Sequence, residues 1–513
     1  MKPNFYITTP IYYVNDKPHI GHAYTTLACD VVARFKRLDG YNVKFLTGTD
    51  EHGMKVAQSA EKKGVAPKEF TDSVSEHFRT LAIAMNFSND DFIRTTEERH
   101  KQAAQFFWQK LNENGFIYKG KYEGYYSIRD EAYYNEDELI DGKAPTGAEV
   151  VWNEEETYFF KLSSFQDRLI GYYEANQDFI KPKSRFNEVI SFVRGGKDYK
   201  KGALKDLSIS RTTFDWGVKV PDDEDHVMYV WLDALTNYLS AIGYPDQSNA
   251  EYQSFWPANF HVVGKDILRF HAVYWPAFLM AAELPLPKQI FAHGWWTNEG
   301  EKISKSVGNV IDPFAIKDEF GLDQMRYFLL SQVVFGNDGD FAKEELIRKT
   351  NSDLANNIGN LAQRVLAMVQ KNCDAKIPAS ANLEAEDTEL INKGYALLPE
   401  MRSFMDELNF TAYLNEVIKL ANLANEYVDR SAPWQLKKTD TQRMEAVLYT
   451  VLEVTRINSL YLLSFMPESI GKMLDLLNVK AEERNLSCLN PEYALKSDIV
   501  LPKPIPIFQR FNK

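Results

Sequence analysis

The stretch FYITTPIYYVNDKPHIGHAYTTLACDVVARFKRLDGYNVKFLT, Phe5 to Thr47, decides the fold. Phe5 to Thr9 is a short β-rich run, Pro10 to Lys17 reads as a loop, and Pro18 to Leu38 as a helix. On that helix Leu27, Val31, Phe35 and Leu38 recur at helical spacing; Pro18 suits its first turn and Gly40 its end. Val43 to Thr47 is strand-like again. Strand, helix and strand in that order make a βαβ unit, which predicts an α/β domain with a parallel sheet and ligands in the crevice at its strand ends.

Working outward, the texture changes from about Tyr118 to Asp225 to Tyr-, Glu- and Gly-rich short runs such as YEGYYSIRDEAYY, which predicts an inserted module over residues 118–225. Strand-like runs resume at His226 to Trp231 and Phe260 to Val263, then at Gln289 to His293, as a second half of the sheet. After about Lys349 the segments DLANNIGNLAQRVLAMV, TAYLNEVIKLANLANEYV and MEAVLYTVLEVTRINSLYLL carry apolar positions at helical spacing, with breaks near Pro378, Pro433 and Pro467. This predicts a helix bundle.

A chain of 513 residues exceeds one hydrophobic core and predicts roughly three or four modules of ~100–200 residues. With 44% hydrophobic and 26% charged residues it is neither disordered nor fibrous. No run approaches ~18 consecutive apolar residues and the start lacks the order of a signal peptide, so a cytoplasmic protein without a membrane span is expected. Cys29, Cys373 and Cys488 are too few and too scattered for a disulfide framework or a Cys-x-x-Cys knuckle. The net charge of −13 opposes non-specific polyanion binding. Against it stands a run with Lys181, Lys183, Arg185, Arg194, Lys197, Lys200, Lys201 and Lys205 facing only Glu188 and Asp198, which reads either as a phosphate-contacting strip or as a solvated face.

Two short motifs carry chemistry. In Pro18-His19-Ile20-Gly21-His22 two imidazoles share one face at the positive end of a helix, and Gly21 leaves room for a nucleotide. Lys302-Ile303-Ser304-Lys305-Ser306 places two lysines in a Gly-flanked loop that can close over a pentacovalent phosphate. Alone, each is equally an ordinary helix start or a surface loop. Together and in this order, they resemble the HIGH and KMSKS signatures of class I aminoacyl-tRNA synthetases, with Ile303 in place of Met.

Thr9 to Asn15, Thr47 to Gly53, Trp231 to Tyr238 and Gly264 to His271 with Trp275-Pro276 resemble the methionyl branch of that family, and the resemblance runs from about Phe5 to the end. It implies a methionine pocket of Ile11, Tyr13, Trp231, Leu235, Tyr238, Ile267, His271 and Trp275, an aromatic, apolar cage suited to a polarizable thioether, with Asp50 pairing the substrate ammonium. Gly264 and Asp266 would meet the ATP ribose, His293 and Gly294 the adenine. His19, Gly21 and His22 would lie at the phosphates, with Lys302 and Lys305 above. Asn357, Asn360, Arg364 and Trp434 match the positions that read the anticodon, where an aromatic ring stacks on an unpaired base.

The resemblance thus implies a Rossmann-type α/β catalytic domain split by a connective insertion, plus a C-terminal all-α anticodon-binding helix bundle. The expected parts are a first catalytic half (1–117), the insertion (118–225), a second half (226–297), a lysine loop and stem-contact segment (298–349) and the bundle (350–513). Partners would be methionine, ATP with Mg2+, and the anticodon and acceptor stem of methionine tRNA. Where many relatives hold a zinc knuckle, Tyr125 to Glu131 has no thiolate, which places the chain in the zinc-free branch with no metal of its own. The insertion is too short for the editing module of the leucyl, isoleucyl and valyl enzymes. A small-molecule nucleotidyltransferase would not need the bundle, and a catalytically inactive relative would not need both motifs and Asp50. No appended dimerising domain follows the bundle, so a monomer is expected.

Overall fold

The computed structural model describes residues 2–14, 17–130, 132–134, 136–298, 300–302 and 310–512. The run that opens the chain folds as strand β1 (Asn4–Thr8), and Phe5 to Thr8 are all buried. Burial without alternation means that both faces are covered, as in a parallel sheet flanked by helices. The other strands of this sheet are β2 (Tyr12–Tyr13), β3 (Asn42–Asp50), β4 (Asp91–Arg94), β5 (Ile180–Lys181), β6 (Phe260–Gly264) and β7 (Ile290–His293). Their order is β2-β3-β1-β6-β7-β5, with β4 beside β3. The pairs β1–β6, β6–β7, β7–β5, β2–β3 and β3–β4 are parallel.

The helix expected from Pro18 begins two residues later, as α1 (Ile20–Leu38). Residues Asn4–Cys29 and Val43–His293 form one compact unit, while Asp30–Asn42 folds with the chain from Gly294 onward as a second. Helix α1 therefore supplies its first half to one unit and its second half to the other.

The segment expected as an insertion over residues 118–225 contributes strands to more than one sheet. Its strands Ile117–Ser127, Ala132–Tyr134, Val151–Phe160 and Leu207–Ser208 do form a separate four-stranded antiparallel sheet. Helix α2 (Gln166–Ala175), β5 and helix α3 (Lys183–Arg194) intervene, however, and β5 pairs with β7 inside the main sheet. A two-residue strand carries too little periodicity to announce its partner. The run His226 to Trp231 is likewise not a strand of the main sheet. It divides between a strand, Asp223–Met228, in a small antiparallel sheet and helix α4 (Val230–Leu235).

The second unit is mostly helical, with a three-stranded sheet of Trp296–Asn298, Glu301–Lys302 and Gly339–Phe341. Helices α5 (Asn360–Asn372), α6 (Phe410–Ser431) and α7 (Thr441–Leu462) surround a bundle core. Every residue of α7 from Ala446 on is buried, as in a central helix enclosed on all sides. Its charges stay inside only because they are paired: Arg456 donates to Glu453, which also accepts from Tyr395 Oη and the Leu495 N–H.

A second buried pair lies near the chain's start. Arg326 Nη2 meets Asp30 Oδ2 at 2.6 Å, and Arg326 Nε donates to the Phe465 carbonyl at 2.7 Å. Among the described residues no helix is long and apolar enough to cross a membrane. Asp30 also accepts from Arg34 Nε at 2.9 Å, so Arg326→Ala leaves the carboxylate one of its two guanidinium partners and should cost about 1–3 kcal/mol, read as an earlier urea transition of the helical unit.

Candidate active site

Parallel register brings the first candidates together at the carboxyl ends of the strands. Tyr13 pairs with Asp50 across β2–β3, and the Val14 N–H donates to the Asp50 carbonyl at 3.1 Å. Gly264 pairs with His293 across β6–β7. A side chain on Gly264 would sit 2.6 Å from Asp266 Oδ1, so the absent Cβ is what lets that carboxylate fold back over the strand end.

Ile11, Tyr13, Trp231, Leu235, Tyr238, Ile267 and Trp275 all belong to one apolar cluster. Trp231 stacks on Phe270 with ring centroids 3.8 Å apart and meets His271 edge-on at 6.0 Å. Phe270–Tyr274 forms a π-helical turn, a form that recurs at functional sites because it re-aims consecutive side chains. His271 Nδ1 faces the Ile267 carbonyl at 3.0 Å, so Nδ1 carries the proton and Nε2 accepts from the Tyr238 hydroxyl at 2.7 Å. Burial pulls the His271 imidazolium down to about 4, which keeps the ring neutral at physiological pH. Sequence reasoning missed His261. It accepts from Trp275 Nε1 at 3.3 Å, lies 2.8 Å from Thr8 Oγ1, and stacks under Tyr238 at 4.1 Å.

At the start of α1, the His19 N–H donates to His22 Nδ1 at 3.0 Å and the Gly21 N–H to His19 Nδ1 at 3.1 Å. A backbone N–H can only donate, so in both neutral rings the proton sits on Nε2, and each presents a donor. A Cβ on Gly21 would lie 2.9 Å from His19 Cε1, so the bare glycine lets the neighbouring imidazole pack close to the helix start. His293 Nε2 lies 2.7 Å from Thr25 Oγ1, whose proton goes to the Gly21 carbonyl at 3.1 Å, which joins the helix start to the end of β7. Neither Thr25 nor this link had a signal in the sequence.

Behind the cluster lies a buried polar network that sequence reasoning also missed. Asp233 Oδ2 meets His52 Nδ1 at 2.6 Å and Oδ1 meets His100 Nε2 at 2.7 Å. Glu51 faces away, held by Arg94 at 2.6 and 2.9 Å and by the Thr49 hydroxyl at 2.8 Å. Burial pushes the Asp233 carboxyl up, but the two imidazoles outweigh it and bring it down to about 2.

Lys302 closes a short strand opposite Thr297. Its side chain, and Lys305 altogether, lie outside the described residues. Among the described residues no group of three or more His, Cys, Asp or Glu is placed to hold a metal ion.

In the helical unit, the π-helical stretch Thr350–Gly359 runs into α5. Asn357 Nδ2 donates to Asn422 Oδ1 and Asn357 Oδ1 accepts from Asn425 Nδ2, both at 2.8 Å. Both halves of its amide are therefore engaged with α6. Asn360 is exposed. Arg364 donates to Asp429 at 2.8 Å and lies 5.6 Å from the centre of the Trp434 ring, which is 40% exposed. Arg364 and Trp434 are thus presented together, and Asp429 is a member the sequence did not single out.

A family profile described as tRNA synthetases class I (M) matches residues 5–150 and 146–366, and one for the anticodon binding domain of methionyl tRNA ligase matches 377–503. The chain belongs to the methionine–tRNA ligase family. It is 57% identical over 524 residues to the methionine–tRNA ligase of Rickettsia bellii, spanning 100% of both chains. With that of Brucella suis it shares 51% over 515 residues, covering 99% of this chain and 98% of the relative. The Mycobacterium tuberculosis methionyl-tRNA synthetase in complex with methionyl-adenylate superposes with a TM-score of 0.95 at 47% identity, covering 99% of this chain and 100% of that one. The apo form of that protein gives 0.89 at 43% identity, covering 100% and 99%.

The ligase holds Asp233 ionised in its interior, so the pair contributes stability above the ordinary carboxyl pKa and loses it as pH falls from about 4 towards 2. Asp233→Asn should cost about 2 kcal/mol near neutral pH. It should also flatten the acid sensitivity in that window, measured by urea unfolding at a series of pH values; an unchanged acid profile would contradict the ionised carboxylate.

Proposed function

We propose that the two strand-end subsites divide the substrates of methionine activation. The enzyme joins methionine to tRNA in two steps. A methionine carboxylate oxygen attacks the α-phosphorus of ATP and pyrophosphate leaves; a hydroxyl of the terminal tRNA adenosine then attacks the adenylate and AMP leaves. The observation that carries the division is the sheet register, which pairs Tyr13 with Asp50 on one side and Gly264 with His293 on the other.

On this reading Asp50 receives the methionine ammonium, and Ile11, Tyr13, Trp231, Leu235, Tyr238, Ile267, His271 and Trp275 enclose the side chain. The neutral His271 suits this cage, because an imidazolium would demand water beside a thioether. Asp266 and Gly264 receive the ribose, the backbone at His293 and Gly294 the adenine, and the Nε2–H groups of His19 and His22 the phosphates. Lys302 and Lys305 stabilise charge that grows in the transition state. Mg2+ enters on the nucleotide as part of the substrate. Catalysis on this reading is positioning and charge stabilisation, with no covalent enzyme intermediate.

Asn357, Asn360, Arg364 and Trp434 read the anticodon, with Asn357 also tied through its amide to α6. The reading extends to a single chain acting in the cytoplasm without zinc of its own. The three cysteines, of which Cys29 and Cys488 are buried, support the last point.

Two variants test the division of labour. Lys305→Ala should slow methionine-dependent pyrophosphate exchange while methionine binding changes little. Trp434→Ala should leave exchange near wild type and cut aminoacylation about ten- to a hundredfold, from a stacking loss of ~1–3 kcal/mol. Equal loss of both activities in Trp434→Ala would make the residue a packing element, and unimpaired exchange in Lys305→Ala would remove the catalytic lysine loop. Elemental analysis of the purified protein should find no stoichiometric zinc; about one zinc per chain would overturn the zinc-free reading.

A further inference from the structure

The basic run between Lys181 and Lys205 separates into two classes once its partners are seen. Lys181, Arg185 and Arg194 are spent on Asp178, Glu188 and Glu174, and Lys183 donates to Gln177. Lys197, Lys200, Lys201 and Lys205 are exposed and have no ion-pair partner among the described residues. Nearby acids do not reach them: Asp167 accepts from the Tyr199 hydroxyl, and Asp206 from Tyr118 and Ser163. Asp198 is the one carboxylate within the lysine segment itself.

The segment that carries these lysines is held in shape. Gly195 ends α3 at φ +83°, and a Cβ there would strike Ala203 Cβ at 2.5 Å and Lys200 Cβ at 3.1 Å, so the chain folds directly over the glycine. The Lys200 N–H donates to the Arg194 carbonyl at 2.8 Å. The buried Gln166 at the start of α2 grips the other side, donating to the Lys200 carbonyl at 2.8 Å and accepting from the Gly202 N–H at 2.9 Å. The lysines therefore stand on an ordered ridge, and the ordering cost that binding would otherwise carry is already met in the free protein.

We propose that this ridge is a docking surface for the phosphate backbone of the tRNA substrate. The inference rests on the tRNA-charging reading above. A concentrated positive surface on a chain of net charge −13 will not hold polyanions everywhere, but it will select where one sits. It makes no base contact and so adds affinity and orientation, with specificity left to the anticodon residues.

The test replaces Lys197, Lys200, Lys201 and Lys205 together with Gln, and in parallel with Arg. The Gln variant should raise KM for tRNA about tenfold or more, and lower the slope of log KM against log salt by about 0.7–0.9 per lost contact. Methionine-dependent pyrophosphate exchange should remain at wild-type level, and the Arg variant should behave as wild type in all three measurements. An unchanged KM and salt slope in the Gln variant would overturn the proposal. So would a parallel fall in exchange, which would make the ridge a packing element. Loss of binding to phosphatidylglycerol vesicles with tRNA kinetics intact would overturn it in favour of a membrane surface. Absence of methionine-dependent exchange in the wild type would sink the charging reading itself, a result distinct from all of these.

Discussion

A single carboxylate between two imidazoles ties the end of β3 to the helix turn that follows Tyr229. Asp233 reaches His52, just past the end of β3, and His100, on the helix Glu98–Glu113. It thereby ties three segments far apart in sequence to one point. Asp50 lies two residues before His52, and Trp231 and Leu235 lie two residues either side of Asp233, so the network fixes the strand end and the helix turn that carry these proposed pocket residues. A buried charge is costly unless its hydrogen bonds are complete. Here the two short bonds from His52 and His100 outweigh burial, and Asp233 remains ionised rather than taking up a proton.

The other imidazoles of the site work differently. His271 and His261 are buried and kept neutral by burial, and their neighbours decide which nitrogen carries the proton. His19 and His22 accept backbone N–H groups at Nδ1, which leaves the proton of each ring on Nε2. Hydrogen-bond donors and acceptors set in advance cost little reorganisation when charge develops, which suits a reaction carried by positioning. The two π-helical stretches, Phe270–Tyr274 and Thr350–Gly359, hold His271 of the proposed methionine cage and Asn357 of the proposed anticodon set. In each, one extra residue per turn rotates the side chains of the next helical turn to a new facing.

Much of this was legible from local pattern. The βαβ start, the strands at Phe260 and Ile290 and the long C-terminal helices all show periods that propensity and burial enforce together. The two motifs were legible because they are contiguous: His19 and His22 lie three residues apart, as do Lys302 and Lys305. Residue type alone also set the scarcity of thiolates that argues against a zinc knuckle.

Register, pairing and protonation were decided by the tertiary structure. Nothing local says that Ile180–Lys181 pairs with Ile290–Phe291, that Asp233 bridges His52 and His100, or that Asn357 spends its amide on α6. The same holds for the lysines, where composition counted eight cations but only the fold shows which are neutralised by Asp178, Glu188 and Glu174. Sequence determines which groups exist and how neighbours within a turn or strand face. A contact between residues hundreds of positions apart depends on how the whole core packs, and no short window contains that information.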